Sequence, residues 1–123
     1  MRKLNLSDLT IDQLVARFSE LGTEQDRAER TDNPSKYDRL FWQMEAVKNE
    51  LKARPGDSRS ALVKLYDHPN MQVRLKAAKA TLAVAPIAAR AVIEAIADSR
   101  SYPQAGDAGM CLANLDAGVF KPT

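Results

Sequence analysis

Side chains that commonly perform acid-base, nucleophilic or metal chemistry are sparse in this sequence. The 123 residues include one histidine, His68, and one cysteine, Cys111. A zinc-type site needs three or four ligands at defined spacings, and no Cys/His pattern of that kind is present. Carboxylate pairs such as Asp26 and Glu29 lie among basic residues, on faces that the helical period predicts to be solvated. We therefore expect no enzymatic activity, no catalytic residue, no metal and no cofactor.

The histidine and the cysteine both have structural interpretations. His68 precedes a proline in a predicted turn, where it could complement the negative end of the preceding helix. Cys111 lies in the middle of the last predicted helix and is expected to be a small core residue. An unpaired cysteine is typical of reducing compartments, and no apolar signal segment follows Arg2 and Lys3. These features predict a cytoplasmic protein without membrane association.

Trp42 is the first candidate binding residue, because it does not fit the apolar stripe of its predicted helix. At about 100° per residue it lies roughly opposite the stripe that contains Leu40, Met44 and Val47. Its helical neighbours, such as Asp38, are mostly polar. A tryptophan on a polar face is either covered by another part of the chain or offered to a partner, because aromatic residues are favoured interface anchors. The sequence leaves both alternatives open.

A second group of candidates lies at the start of the last predicted helix. Its polar and aromatic candidate binding residues are Tyr102, Gln104 and Asp107. Two glycines lie in the same helix, where each costs about 1 kcal/mol relative to alanine. The structural explanation is a small-residue face of Gly106, Gly109 and Ala113 that lets another helix approach closely. The functional explanation is exposed backbone, with Asp107 beside a groove that receives a ligand or peptide.

The elements that carry these residues are all predicted to be helices. Thr10 with Gln13, and Asn33 with Pro34, are capping signals that precede broad apolar stripes. The stripes predict a first helix over about 11–31 and a second that ends before Arg54, paired as a long antiparallel hairpin. Capping residues and prolines then predict four shorter helices near 58–67, 70–85, 87–99 and 103–117. No alternating β-branched or aromatic run predicts a strand, so the predicted fold class is all-α.

The size and composition are those of an ordinary globular domain. Hydrophobic residues make up 45% and charged residues 28% of the chain, which argues against extensive disorder. We expect a single domain over residues 1–123, with the long hairpin at 1–54 and the shorter helices with a C-terminal cap at 57–123. Phe120 is the predicted hydrophobic plug of that cap. The net charge of +2 is too small to indicate nucleic acid by itself.

The predicted helix near 70–85 carries apolar residues on two opposite sides. At about 100° per residue, Val73 and Ala77 lie opposite Leu75 and Ala78, so this helix is expected to pack between neighbours. Its polar strip is formed by Gln72, Lys76 and Lys79. Arg74 points away from that strip and is therefore predicted to be largely buried or to lie in a groove between helices.

This part of the chain resembles the second helix of a HEAT repeat. The resemblance rests on a proline-containing turn after Asp67, the pair Val73-Arg74 and a double alanine, and it extends from about Ser58 to Ala85. Thr81 stands where those repeats usually have leucine. The whole chain is similar to a small bacterial HEAT-like, armadillo-type domain family of unknown function, in which the segment 102–109 recurs. The resemblance implies a right-handed helical array of about six helices that begins with the hairpin, and it implies no activity.

The resemblance also implies a partner for Arg74. The HEAT arginine at this position usually pairs with an acidic or amide group in a neighbouring turn, which suggests Asp67, or Asp107 from further along the chain. A desolvated guanidinium without an acceptor costs on the order of several kcal/mol. We therefore expect a structural role for Arg74, with ligand binding as the alternative.

The predicted function is binding rather than catalysis. We expect a non-enzymatic protein-binding or scaffold module whose partner is a protein, including a second copy of this chain. The alternative is nucleic-acid binding through the basic face of residues 58–85, where five cations against Asp67 give a local charge of +4. Those cations are Arg59, Lys64, Arg74, Lys76 and Lys79. The candidate binding residues are Trp42, Arg74, Tyr102, Gln104 and Asp107.

Overall fold

The computed structural model describes residues 5–123, and this range contains helices and no strand. The predicted all-α fold class is therefore confirmed. The α-helices are α1 Ile11–Arg30, α2 Pro34–Ala53, α3 Met71–Ala80, α4 Pro86–Asp98 and α5 Gln104–Asp116, and 3₁₀ helices cover Leu6–Asp8 and Ser58–Asp67. Arg2 and Lys3, which contributed to the predicted location, lie outside the described residues. The chain divides into two compact units, Met1–Ala61 and Leu62–Thr123, and each is described by itself.

The first unit is built on the hairpin of α1 and α2. Thr10 and Gln13 form the predicted capping box, since the Thr10 hydroxyl accepts from the Gln13 N–H and the Gln13 carboxamide accepts from the Thr10 N–H. The Asn33 side chain caps α2 by accepting from the Lys36 N–H at 3.2 Å, with proline at the first helical position. The apolar stripes meet between the helices. Their buried members are Leu14, Val15, Phe18, Leu21, Ala28, Leu40, Met44, Val47 and Leu51.

Arg54, the residue that follows α2, connects this end of the helix to the segment before α1. Its Nη2 donates to the carbonyl oxygens of Leu6 and Leu9, at 3.2 and 2.8 Å, and its Nε donates to Glu50 at 2.7 Å. These bonds attach the short 3₁₀ helix before α1 to the far end of α2. The sequence predicts a helix end at this arginine but not its contact with residues more than forty positions earlier in the chain.

The 3₁₀ helix at Ser58–Asp67 replaces the α-helix that the sequence suggests there. Its buried residues, Arg59, Leu62 and Leu65, recur at every third position, which is the period of a 3₁₀ helix. Arg59 is buried with a bidentate partner: its Nε and Nη2 donate to Asp57 Oδ1 and Oδ2 at 2.9 and 2.6 Å.

The second unit packs α3, α4 and α5 together. The predicted two-sided burial of α3 is confirmed, because Val73, Ala77, Leu75 and Ala78 are all fully buried. The core residues of this unit are Leu75, Ala78, Leu82, Ala89, Ile93, Ile96, Ala108 and Cys111. Prolines begin α4 and precede α5, which agrees with their role as helix boundaries.

Helix α3 ends five residues earlier than predicted, at Ala80. The cause is Thr81, whose buried hydroxyl donates to the carbonyl oxygens of Ala77 and Ala78 and lies 2.5 Å from the Tyr66 hydroxyl. This polar contact explains why a buried position carries a threonine instead of an apolar residue. The predicted plug at the other end of the unit is wrong, since Phe120 is 37% exposed and Val119 is 75% exposed.

Candidate functional site

Trp42 lies on the outer surface of the first unit. Its side chain is 69% exposed, so the alternative in which another part of the chain covers it is wrong. Its only ring contact within the described residues is with Phe41, edge to face at a centroid separation of 5.1 Å. A large, rigid, mostly apolar side chain therefore faces solvent from the middle of α2.

A cleft of about 210 Å³ opens between α1 and α2, and Trp42 is not among the residues that line it. It is lined by Glu24, Lys36, Arg39, Leu40 and Gln43. Arg39 lies one helical turn before Trp42 and is about 60° from it around the helix axis, so it borders both the cleft and the tryptophan face. Sequence reasoning missed this cleft because its walls come from two helices, and only their packing brings Glu24 beside Lys36.

The charges of this cleft are uncompensated. Within residues 5–123, Glu24, Lys36 and Arg39 form no ion pair, whereas Lys48 of α2 pairs with Glu45 at 2.7 Å and Arg54, just after α2, pairs with Glu50. The Gln43 Oε1 accepts a long hydrogen bond, 3.5 Å, from Arg17 on α1. The cleft thus presents two cations and one carboxylate to solvent.

Arg74 is half-buried, and its partners differ from the predicted carboxylates. Its Nη1 donates to the carbonyl oxygens of His68 and Pro69 at 2.7 and 3.1 Å. Asp107, the more distant predicted partner, instead pairs with Lys79 at 3.0 Å. Backbone carbonyl groups at the end of a helix carry partial negative charge, so the turn before α3 supplies acceptors for Arg74 without any carboxylate. The geometry fits the structural role of Arg74.

His68 accepts a hydrogen bond within the turn that precedes α3. Its Nδ1 accepts from the Asn70 N–H at 3.0 Å. Asn70 in turn caps α3 by accepting from the N–H groups of Gln72 and Val73. The imidazole is therefore part of the turn that begins α3.

Gln104 is a core residue of the second unit. It is 7% exposed, and its Nε2 donates to Oε1 of Gln72 at 3.0 Å. Gln72 is itself 4% exposed, so its predicted place on a solvated strip is wrong. Two amides that share a hydrogen bond in the interior have a structural role, because an unpaired buried amide is costly.

The glycine pair of α5 makes no close contact with another helix among the described residues. A Cβ atom at Gly109 would meet nothing within 4 Å, and one at Gly106 would meet only the Tyr102 ring at an ordinary distance of 3.6 Å. Gly106 and Ala113 are exposed. The predicted small-residue contact is therefore wrong within this chain. Tyr102, which precedes α5 through a cis bond to proline, is 72% exposed.

The basic stretch 58–85 presents less free charge than its sequence suggests. Arg59 is buried against Asp57, Arg74 is bound to carbonyl oxygens, and Lys79 is paired with Asp107. These cations already have partners inside the protein, which leaves them less available to phosphate groups.

Two further features bear on chemistry. Cys111 is 5% exposed, and burial raises the pKa of its thiol, which disfavours the reactive thiolate. Among the described residues, no group of three or more His, Cys, Asp or Glu side chains is placed to hold a metal ion.

Over the same range, no helix has both the length and the apolar character needed to cross a membrane.

Comparison with known proteins gives two matches. A model of the family described as "Domain of unknown function (DUF2019)" matches residues 12–116. The chain is also similar to the crystal structure of the protein RPA1889 from Rhodopseudomonas palustris CGA009, with 55% sequence identity and a TM-score of 0.95. That match covers 98% of this chain and 100% of the other. No curated protein matches significantly. Neither match identifies a HEAT repeat, so that resemblance stays a prediction.

Proposed function

We propose that this chain, which belongs to the family described as "Domain of unknown function (DUF2019)", is a non-enzymatic protein-binding module anchored by Trp42. The observation that carries the proposal is the 69% exposure of that side chain. A partner that covers the exposed part of Trp42 removes on the order of 100–170 Å² from water, which corresponds to about 3–4 kcal/mol of favourable transfer free energy. Values of this size are typical of the few residues that dominate a protein interface.

The second part of the proposal concerns enzymatic activity and location. His68 and Cys111, the side chains most suited to catalysis, are engaged in the turn before α3 and in the core. We therefore propose that the protein works without catalytic residues or a cofactor. The buried free thiol of Cys111 supports a reducing location, which we propose is the cytoplasm.

The test is affinity capture with three baits: the wild-type chain, Trp42→Ala and Ile87→Ala. Ile87 is 88% exposed on α4, so its variant controls for the loss of any exposed apolar side chain. We expect a protein that the wild-type chain and Ile87→Ala retain and that Trp42→Ala loses. Equal capture by all three baits would refute the role of Trp42.

The solution mass of the purified chain tests whether the partner is a second copy. Trp42 is the single tryptophan, so its fluorescence reports on this face alone. If the partner is a second copy, the mass doubles with concentration, the emission shifts to the blue, and Trp42→Ala abolishes the dimer. A monomer at every concentration removes self-association and leaves capture of another protein as the test.

A further inference from the structure

The cleft between α1 and α2 adds a charge requirement to the surface around Trp42. Its two cations, Lys36 and Arg39, face one carboxylate, Glu24, and none of them has an ion-pair partner within residues 5–123. Because the Gln43 Oε1 already accepts from Arg17, the amide N–H groups of Gln43 are the part left to bind an acceptor. The cleft therefore offers positive charge and N–H donors to an anionic group.

The dimensions fit a carboxylate side chain. At about 30 Å³ for each water molecule, a volume of about 210 Å³ holds roughly seven waters, which is ample for an aspartate or glutamate head group. Arg39 is displaced from Trp42 by about 4.5 Å along the helix axis and about 60° around it. In an extended peptide, side chains two residues apart on one face are about 7 Å apart. One short segment can therefore reach both features.

We infer that the partner presents a short segment with an apolar side chain that contacts Trp42 and an aspartate or glutamate, within about two residues of it, that enters the cleft beside Arg39 and Lys36. This inference rests on the proposed function and specifies the chemistry of its partner. The carboxylate forms charge-assisted hydrogen bonds with the guanidinium and the ammonium group.

The same surface disfavours a nucleic acid. The two cations and one carboxylate of the cleft give a net charge of +1, which suits a single carboxylate. A polyphosphate backbone that crossed the Trp42 face would also pass Asp38, which is exposed one turn from the tryptophan. It would also find a single exposed aromatic side chain on α2 instead of a stacking series.

A second cleft lacks this charge requirement. The open cleft of about 360 Å³ in the second unit contains Arg90, but that guanidinium is already paired with Asp116 at 3.0 Å and with Glu94 at 3.4 Å. The cations beside Trp42 are therefore the better indication of an acidic partner.

The test selects short random peptides, displayed on phage and free of tryptophan, on the full wild-type chain and on three variants. The variants are Trp42→Ala, Arg39→Glu and Lys52→Glu. Lys52 is an exposed cation of the same helix, about 15 Å further along its axis than Trp42, so it is the matched control for charge reversal. We expect the wild-type chain and Lys52→Glu to select peptides that carry one acidic residue close to one apolar residue. We expect Trp42→Ala and Arg39→Glu not to bind these peptides.

A selected peptide is then synthesised and titrated while the emission of Trp42 is followed. We expect Arg39→Glu to weaken binding about tenfold at low salt and Lys52→Glu to change it by less than about twofold. Replacing the acid of the peptide with lysine should reverse the preference between the wild-type chain and Arg39→Glu. Circular dichroism checks that each variant is folded, and Arg39→Gln, which removes the charge without reversing it, is expected to give an intermediate affinity.

Each outcome supports or overturns the inference. Peptides that depend on Trp42 but carry no acidic preference, or that bind Arg39→Glu as well as the wild-type chain, overturn the inference and leave the proposed function standing. Peptides that bind Trp42→Ala unchanged, enrichment of nucleic acid instead of any peptide in a parallel selection, or no enrichment at all, overturn both.

Discussion

Replacing Gly109 with alanine is expected to stabilise the protein, although glycine is the native residue. Gly109 is the sixth of the 13 residues of α5, well inside the helix, where glycine costs about 1 kcal/mol relative to alanine. An added Cβ would meet no atom within 4 Å, so no steric term opposes this gain. The free energy of unfolding should therefore rise by about 0.8–1 kcal/mol.

The measurement is urea unfolding followed by circular dichroism. For a chain of this size, the expected gain corresponds to a rise in melting temperature of about 4 °C, with the urea midpoint increased and its slope unchanged. Gly118→Ala is the matched control. It also has open space around the added Cβ, but its φ of +73° is strained for alanine, so this variant should lose about 1 kcal/mol.

A lower stability for Gly109→Ala would refute this reasoning, because it would mean that the glycine is held in a close contact. Gly106→Ala should also stabilise the protein, but by less, since Gly106 lies in the first turn, where fewer helical hydrogen bonds depend on it. If both variants are more stable and still lose the partner, the exposed backbone of α5 belongs to a binding surface.

Three further predictions concern polar side chains. Gln72→Met and Gln104→Met should each lower the free energy of unfolding by about 1–3 kcal/mol, because each leaves the other amide without its partner. The double variant should lower it by less than the sum of the two, since neither amide is left. Additive losses in urea unfolding would contradict the pairing. Asp57→Asn should lose about 1–3 kcal/mol near neutral pH. Hydrogen bonds from Arg59 hold the pKa of Asp57 below its ordinary value. The stabilisation by this ion pair is therefore present at a pH above that ordinary value and disappears as the pH falls through the lowered pKa. The difference in free energy of unfolding between wild type and Asp57→Asn should vanish in acid, and a difference that persists there would count against the ion pair. Burial raises the pKa of the Cys111 thiol, so the thiol ionises at a lower pH in the unfolded chain, and the free energy of unfolding should fall as the pH rises past the ordinary pKa of a thiol. Iodoacetamide should modify Cys111 slowly in the folded protein and quickly in urea. Equal rates would show that the thiol is exposed.

The parts of the fold that follow from local periodicity could be predicted closely. The first helix begins at Ile11 as the capping box indicates, and the second ends at Ala53, before Arg54. The two-sided burial of α3 was likewise readable from its apolar positions. These features depend on residues three or four positions apart, which are neighbours in any helix whatever the rest of the chain does.

The candidate site depended on contacts that local periodicity does not contain. The position of Trp42 off the apolar stripe was readable, but its exposure was not, because exposure requires that no other segment covers it. Arg74 was predicted to be largely buried or to lie in a groove, and it is half-buried. Its acceptors are carbonyl oxygens, which every residue carries and no sequence pattern marks.

By itself, the sequence determined the helices, their caps and most of their buried faces, since each is set by side chains within one or two turns. The tertiary structure decided which polar groups meet, such as Gln72 with Gln104 and Arg54 with the carbonyl oxygen of Leu6. It also decided that Glu24 of α1 and Lys36 of α2 line the same cleft. Their separation in sequence carries no information about their distance in space. That distance is set by how the apolar faces pack. The same packing opens a cleft with two cations on the α2 surface that also carries the exposed Trp42.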